Sequence, residues 1–216
     1  MDGNKAARGL ANTVAVKSKV GTVPPDEGDA PSPLLKELMR RFDGGRQVVF
    51  DLGPASEPNL AFFRELPCRL CIGDMVGELA DLGGLESPTE EELDSAVAGC
   101  FPPPSSEPYD IVLCWDVLNY LSRDALKVFM KRLAALSRPG ALVHALIVAS
   151  PKQMPERPGI YHIQSEERIR RVGDAEWTRA APRYTQLDFE RLFTRFAVER
   201  AMLLRSGMQE YLFKVI

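Results

Sequence analysis

The sequence predicts an α/β fold: a mostly parallel sheet with helices on both faces and a C-terminal antiparallel hairpin. Three observations carry that prediction. The β-branched and aromatic run Gln47–Asp51 and the longer apolar runs 109–116 and 141–149 read as buried strands, because continuous apolar character marks a strand covered on both faces. Segments of helical periodicity separate them, and strand, helix, strand at this spacing requires right-handed crossovers between parallel strands. Finally, 198–204 and 208–216 flank Arg205-Ser206-Gly207, a turn that folds the chain back on itself.

Taken in order, residues 1–31 carry Gly, Pro, Asp and Lys with little periodicity and read as a flexible arm. Residues 32–216 then form a single domain. Ser32-Pro33 opens a helix whose Leu34, Leu35, Leu38, Met39 and Phe42 share one face, and Asp43-Gly44-Gly45 stops it. After the first strand, the turn Gly53-Pro54-Ala55-Ser56-Glu57-Pro58 leads into a short helix through Asn59, Leu60, Phe62, Phe63 and Leu66. Residues 68–73 form the second strand, and 75–82 the next helix, ending at Gly83-Gly84. Ser87-Pro88-Thr89 followed by Glu90, Glu91 and Glu92 is a helix start with its acids at the positive end of the dipole. The loop 101–106 breaks the pattern. Ser122 caps the helix carrying Leu126, Phe129, Met130, Leu133 and Leu136, and Arg138-Pro139-Gly140 closes it. Residues 150–184 are polar and proline-bearing, an excursion long enough to be a lid or a substrate-binding insertion. Thr185 and Asp188 form a capping box ahead of the last helix.

Composition narrows the function classes. The 216 residues are 45% hydrophobic and 26% charged with a net charge of -3, which gives no overall electrostatic reason to bind a polyanion. No apolar run is long enough to cross a bilayer, and the first thirty residues lack the apolar core of a secretory signal. A cytoplasmic protein follows. Four cysteines make no disulfide scaffold, and Cys68 and Cys71, three apart in a strand, point to opposite faces as packing residues. With only His144 and His162 and no second cysteine pair, no metal site is expected. His144, among apolar strand neighbours, reads as a core histidine. The mixed run Glu166-Glu167-Arg168-Ile169-Arg170-Arg171 reads as a solvated face.

Taken together, Val49-Phe50-Asp51-Leu52-Gly53, Ile72-Gly73-Asp74, the run 109–116 and Leu136-Ser137-Arg138-Pro139-Gly140-Ala141-Leu142-Val143 resemble the ordered landmarks of class I S-adenosylmethionine-dependent methyltransferases. The resemblance runs from about residue 34 to the C-terminus. It implies a Rossmann-like sheet of seven strands, or six, with S-adenosyl-L-methionine as cofactor and a small molecule as methyl acceptor. It places Asp51, Gly53, Ala55 and Ser56 in the turn against the methionine end, where glycine permits close backbone approach. It gives Asp74 the ribose hydroxyls, a task suited to a carboxylate with two acceptor oxygens. Trp115 and Asp116 would lie where the methionine end meets the acceptor, with Asn119 and Tyr120 lining the substrate cleft. The duller roles are helix capping for Asp51 and Asp74, and packing for Trp115.

The chain departs from the family pattern at the glycine-rich turn. Gly53-Pro54-Ala55-Ser56-Glu57 keeps only the first glycine of Gly-x-Gly-x-Gly, and Glu57 adds negative charge near where a cofactor carboxylate would sit. No third strand or adenine-facing acid is identifiable between Gly83 and Pro108. The competing reading is a catalytically inactive methyltransferase-like binding module. A nicotinamide-dependent dehydrogenase is disfavoured by the lack of Gly-x-Gly-x-x-Gly.

Overall fold

The computed structural model describes residues 28–82, 84, 85, 87–103, 107–173 and 176–216. In chain order the elements are β1 (Asp29–Pro31), α1 (Pro33–Met39), β2 (Gln47–Asp51), α2 (Glu57–Arg64), β3 (Cys68–Ile72), α3 (Val76–Leu82), α4 (Glu90–Cys100), β4 (Tyr109–Trp115), α5 (Arg123–Leu136), β5 (Ser137–Val148), β6 (Gln153–Pro155), β7 (Ile160–Ser165), β8 (Arg168–Val172), β9 (Thr178–Ala180), α6 (Gln186–Leu192), β10 (Phe196–Leu203) and β11 (Met208–Val215).

Six strands form the main sheet in the order β10-β11-β5-β4-β2-β3. The pairs β3·β2, β2·β4 and β4·β5 are parallel, whereas β5·β11 and β11·β10 are antiparallel, so the sheet is mixed and the hairpin stands at one edge. The strand count is the smaller of the two expected. Between β3 and β4 the described residues contain α3 and α4 and no strand, so β3 is the other edge. The turn at Gly83 and the tip of the loop at 104–106 lie outside the described residues, as do residues 1–27 of the expected arm. The end of that arm, Asp29–Pro31, is β1, antiparallel to β8.

Strand alternation divides the core cleanly. In β4, Val112 and Cys114 face one cluster with α3, α4, α5 and α6, whereas Ile111, Leu113 and Trp115 face the other with α1 and α2. Residues 150–184 complete this second face, where Met154, Tyr161, Ile163 and Ile169 pack beneath two small sheets, β1-β8-β7 and β6-β9. Local chemistry fixes the helix starts. Thr89 with Glu92 and Thr185 with Asp188 each form both halves of a capping box, and Ser122 accepts from the Ala125 N–H. Helix α5 ends at Leu136, just ahead of Arg138-Pro139-Gly140 as expected, but the next strand begins earlier than Ala141: β5 starts at Ser137, which pairs with Tyr109. Among the described residues, no helix is long and apolar enough to cross a membrane.

Candidate functional site

Because β3, β2, β4 and β5 are parallel, their carboxyl ends share one rim, where Asp51 is the last residue of β2 and Asp74 and Asp116 follow the ends of β3 and β4. The turns are joined directly: the Asp74 N–H donates to the Gly53 carbonyl at 3.2 Å, and the Gly73 N–H to the Asp51 carbonyl at 2.7 Å. Such a rim is where open α/β sheets bind ligands, since the connecting turns carry backbone groups with no partner inside the sheet.

Asp51 is fully buried and already engaged. Its Oδ1 accepts from the Gly53 N–H at 2.9 Å and from Trp115 Nε1 at 2.6 Å, and its Oδ2 accepts from Asn59 Nδ2 at 3.2 Å. Burial raises its pKa, and these three donors oppose that shift without cancelling it. Gly53 has a steric reason of its own, since a Cβ there would lie 3.1 Å from Asp51 Oδ1 and 3.3 Å from Trp115 Nε1. Ser56 caps α2 by accepting from the Asn59 N–H at 3.4 Å, while Ala55 and Glu57 are exposed.

Asp74 contrasts with Asp51. It is exposed in the left-handed region at φ 47°, a conformation Asp tolerates better than most residues, and its carboxylate has no partner among the described residues. Trp115 shares that conformation at φ 52°, which for a bulky residue is strained and is sustained only by surrounding contacts. Those contacts are the bond to Asp51 and a stacked Tyr161 ring, 5.3 Å away with an interplanar angle of 5°.

Asp116 is 4% exposed and receives the Gly159 N–H at 3.1 Å and the Tyr161 hydroxyl at 3.1 Å, with Arg171 Nε 3.7 Å away. Burial pushes its pKa up to about 6, outweighing the Arg171 charge and both hydrogen bonds. Asn119 is spent on the scaffold: Nδ2 donates to the Asp116 and Leu146 carbonyls at 2.7 and 2.8 Å, and Oδ1 accepts from the Val148 N–H at 2.8 Å. Tyr120 is buried, its hydroxyl held between the carbonyls of Pro155 at 3.1 Å and Arg157 at 2.9 Å.

The structure thus links Asp51, Gly53, Trp115 and, through Tyr161, Asp116, with Ser56 capping the helix that carries Asn59, Ala55 and Asp74 exposed, and Asn119 and Tyr120 bonded to backbone carbonyls. Four participants are absent from the sequence-level set: Asn59, Gly159, Tyr161 and Arg171. Asn59 had a readable signal, since it shares the buried face of α2 with Phe63 at i and i+4. The other three come from 150–184 and reach the rim only through tertiary folding.

No family model matches the sequence, and no curated protein matches it. Among solved structures, the chain is similar to 1,6-didemethyltoxoflavin-N1-methyltransferase of Burkholderia thailandensis with bound S-adenosylhomocysteine, at 17% identity over 85% of this chain and 77% of that one, TM-score 0.46. It is similar to the pyocyanin biosynthetic protein PhzM at 17% identity and TM-score 0.47, covering 84% of this chain and 54% of that one. It is similar as well to magnesium protoporphyrin IX methyltransferase of Synechocystis PCC 6803 with bound S-adenosylmethionine, at 14% identity over 84% of this chain and 76% of that one, TM-score 0.46.

Proposed function

We propose that this chain is an S-adenosyl-L-methionine-dependent methyltransferase acting on a small-molecule acceptor. One observation carries the reading: at the tip of β3, an exposed carboxylate with no partner among the described residues is tied through its own backbone N–H to the glycine turn after β2. A carboxylate so placed suits a pair of vicinal hydroxyls, and the ordered landmarks assign those to the cofactor's ribose. The turn 53–56, Trp115 and Asp116 then face the methionine end, and Asn119 and Tyr120 stand on the acceptor side as supports.

The bound cofactor supplies a methyl group already activated by positive sulfur, so the protein's work is alignment and exclusion of water. Asp74 binds and orients. Trp115 and Asp116, both buried, form the inner wall that keeps water from the reacting atoms. Asp116, whose pKa burial pushes up to about 6, is a group at the rim able to take up a proton near neutral pH.

Calorimetric titration with S-adenosylmethionine and S-adenosylhomocysteine tests this reading. Saturable binding is expected, and Asp74→Ala should weaken it about 10- to 100-fold, the range for losing hydrogen bonds to a charged group. The left-handed φ of 47°, which Ala tolerates less well than Asp, predicts a modest loss of stability of about 1 kcal/mol for that variant, with cooperative unfolding retained. Absence of binding by both the native chain and Tyr161→Ala, in proteins that unfold cooperatively, overturns the reading.

A further inference from the structure

The segment after β6 lies across the tips of β2 and β4, and the groups that hold it there are the ones the methyltransferase reading needs for its ligands. Asn59 binds β7 much as a neighbouring strand would: its Nδ2 donates to the Tyr161 carbonyl at 3.0 Å and its Oδ1 accepts from the Ile163 N–H at 2.8 Å. The same Nδ2 reaches Asp51. The Tyr161 ring covers Trp115, whose Nε1 is bonded to Asp51, and the Tyr161 hydroxyl and Gly159 N–H fill Asp116. Gly159 is required for this closeness, because a Cβ there would lie 2.5 Å from Arg171 Nε and push the guanidinium away from Asp116.

We propose that the 153–172 segment is a self-occupying lid. In the ligand-free chain, Tyr161 and Gly159 satisfy the groups around Asp51, Trp115 and Asp116 that the cofactor's methionine end and the acceptor take in the working state, with Asn59 as the tie between lid and cofactor turn. The inference rests on the methyltransferase reading and adds a competition to it. β7 has no ladder to the main sheet and belongs to a separate three-stranded sheet with β1 and β8. Its outer pair, Ile160 and Val172, is 39% and 41% exposed, while Tyr161, Ile163 and Ile169 are buried on the sheet, so opening lifts these three side chains from the core without unzipping a central strand. A closed lid lowers apparent affinity by the fraction of molecules that are open, and loosening a tie raises that fraction.

The chain has two tryptophans, and Trp177 is 72% exposed, so a Trp177→Phe background leaves Trp115 as the sole reporter beneath Tyr161. In that background, titration with S-adenosylhomocysteine should change Trp115 emission with the calorimetric affinity and speed hydrogen exchange at the Gly159 and Ile163 amides. Asn59→Ala and Tyr161→Phe should each bind S-adenosylhomocysteine more tightly, by about 3- to 10-fold. Tyr161→Phe keeps the ring and loses only the hydroxyl, so it remains informative where the alanine variant fails to fold. Binding without any change in emission or exchange overturns the lid and leaves the methyltransferase reading intact. Weaker binding by Asn59→Ala also overturns the lid, making Asn59 a direct cofactor contact. Absence of binding in every form overturns both.

Discussion

Two buried carboxylate networks on the same face of the sheet make opposite use of burial. Glu210 on β11 is fully buried, yet its pKa is lowered: desolvation pushes it up, and His144, Ser32 and the Leu34 N–H together outweigh that push. Its Oε1 accepts from the Ser32 hydroxyl and the Leu35 N–H and pairs with His144 Nε2 at 2.7 Å, and its Oε2 accepts from the Leu34 N–H at 3.1 Å. The carboxylate locks the start of α1 to the sheet. Asp51 and Asp116 are also buried and hydrogen-bonded, but there desolvation wins and both pKa values rise. A compensated carboxylate acts as a structural clamp, whereas an undercompensated one keeps its proton to higher pH, the pattern that clusters at functional sites.

The largest expected effect sharpens the structural half. Glu210→Ala leaves the Ser32 hydroxyl, two backbone N–H groups and His144 without their acceptor in a site closed to water. Removing one member of a buried charged cluster typically costs about 3–5 kcal/mol. Urea denaturation should show a loss of that order, and a loss below about 1 kcal/mol would break the contrast.

Asp116 should behave in the opposite sense. Its folded pKa of about 6 lies above the ordinary 3.8, so the folded chain holds that proton more tightly than the unfolded chain does. The associated stability is fully present below pH 3.8 and is lost as pH rises through 6. At about 1.4 kcal/mol per pKa unit, native stability relative to Asp116→Asn should fall by roughly 3 kcal/mol across that window. Paired denaturation curves at pH 4 and pH 7 check the sign; a difference that instead grows with pH, as the lowered pKa of Glu210 requires of a clamp, would place Asp116 with Glu210.

These networks mark the limit of what the sequence revealed. The parallel core was legible because its strands are continuously apolar and their helices carry local caps at Ser122, Thr89 and Thr185. The acids at the strand tips were legible from their order along the chain. β1 was not, since its partner β8 lies some 140 positions away and Asp29–Pro31 has no strand pattern of its own. The Pro139 that reads as a helix stop does follow the end of α5 at Leu136, but it also sits inside β5, whose early start at Ser137 comes from pairing with Tyr109 and has no local signal. His144 was legible as a core residue but not its acidic partner: Nε2 meets Glu210, while Nδ1 is buried with no hydrogen bond among the described residues. Tyr161 and Gly159 were illegible because nothing in a polar, proline-bearing stretch indicates which strand tips it will cover.

The smallest effect compares two serines at equivalent positions, each the residue before a helix whose first turn contains proline. Ser56 uses its hydroxyl locally, accepting the Asn59 N–H at a long 3.4 Å in a half-buried setting. Ser32 makes no side-chain cap bond and donates its hydroxyl to Glu210 in a fully buried one. Loss of an N-cap of the first kind costs about 0.5–1 kcal/mol, whereas loss of a hydrogen bond to a buried charge costs about 1.5–3 kcal/mol. Ser32→Ala should therefore destabilise the chain about twice as much as Ser56→Ala or more, in parallel urea titrations. The reverse order would mean that the Glu210 clamp is carried by the backbone N–H groups and His144 alone, so that helix-start chemistry at Ser32 adds nothing to the lock between α1 and the sheet.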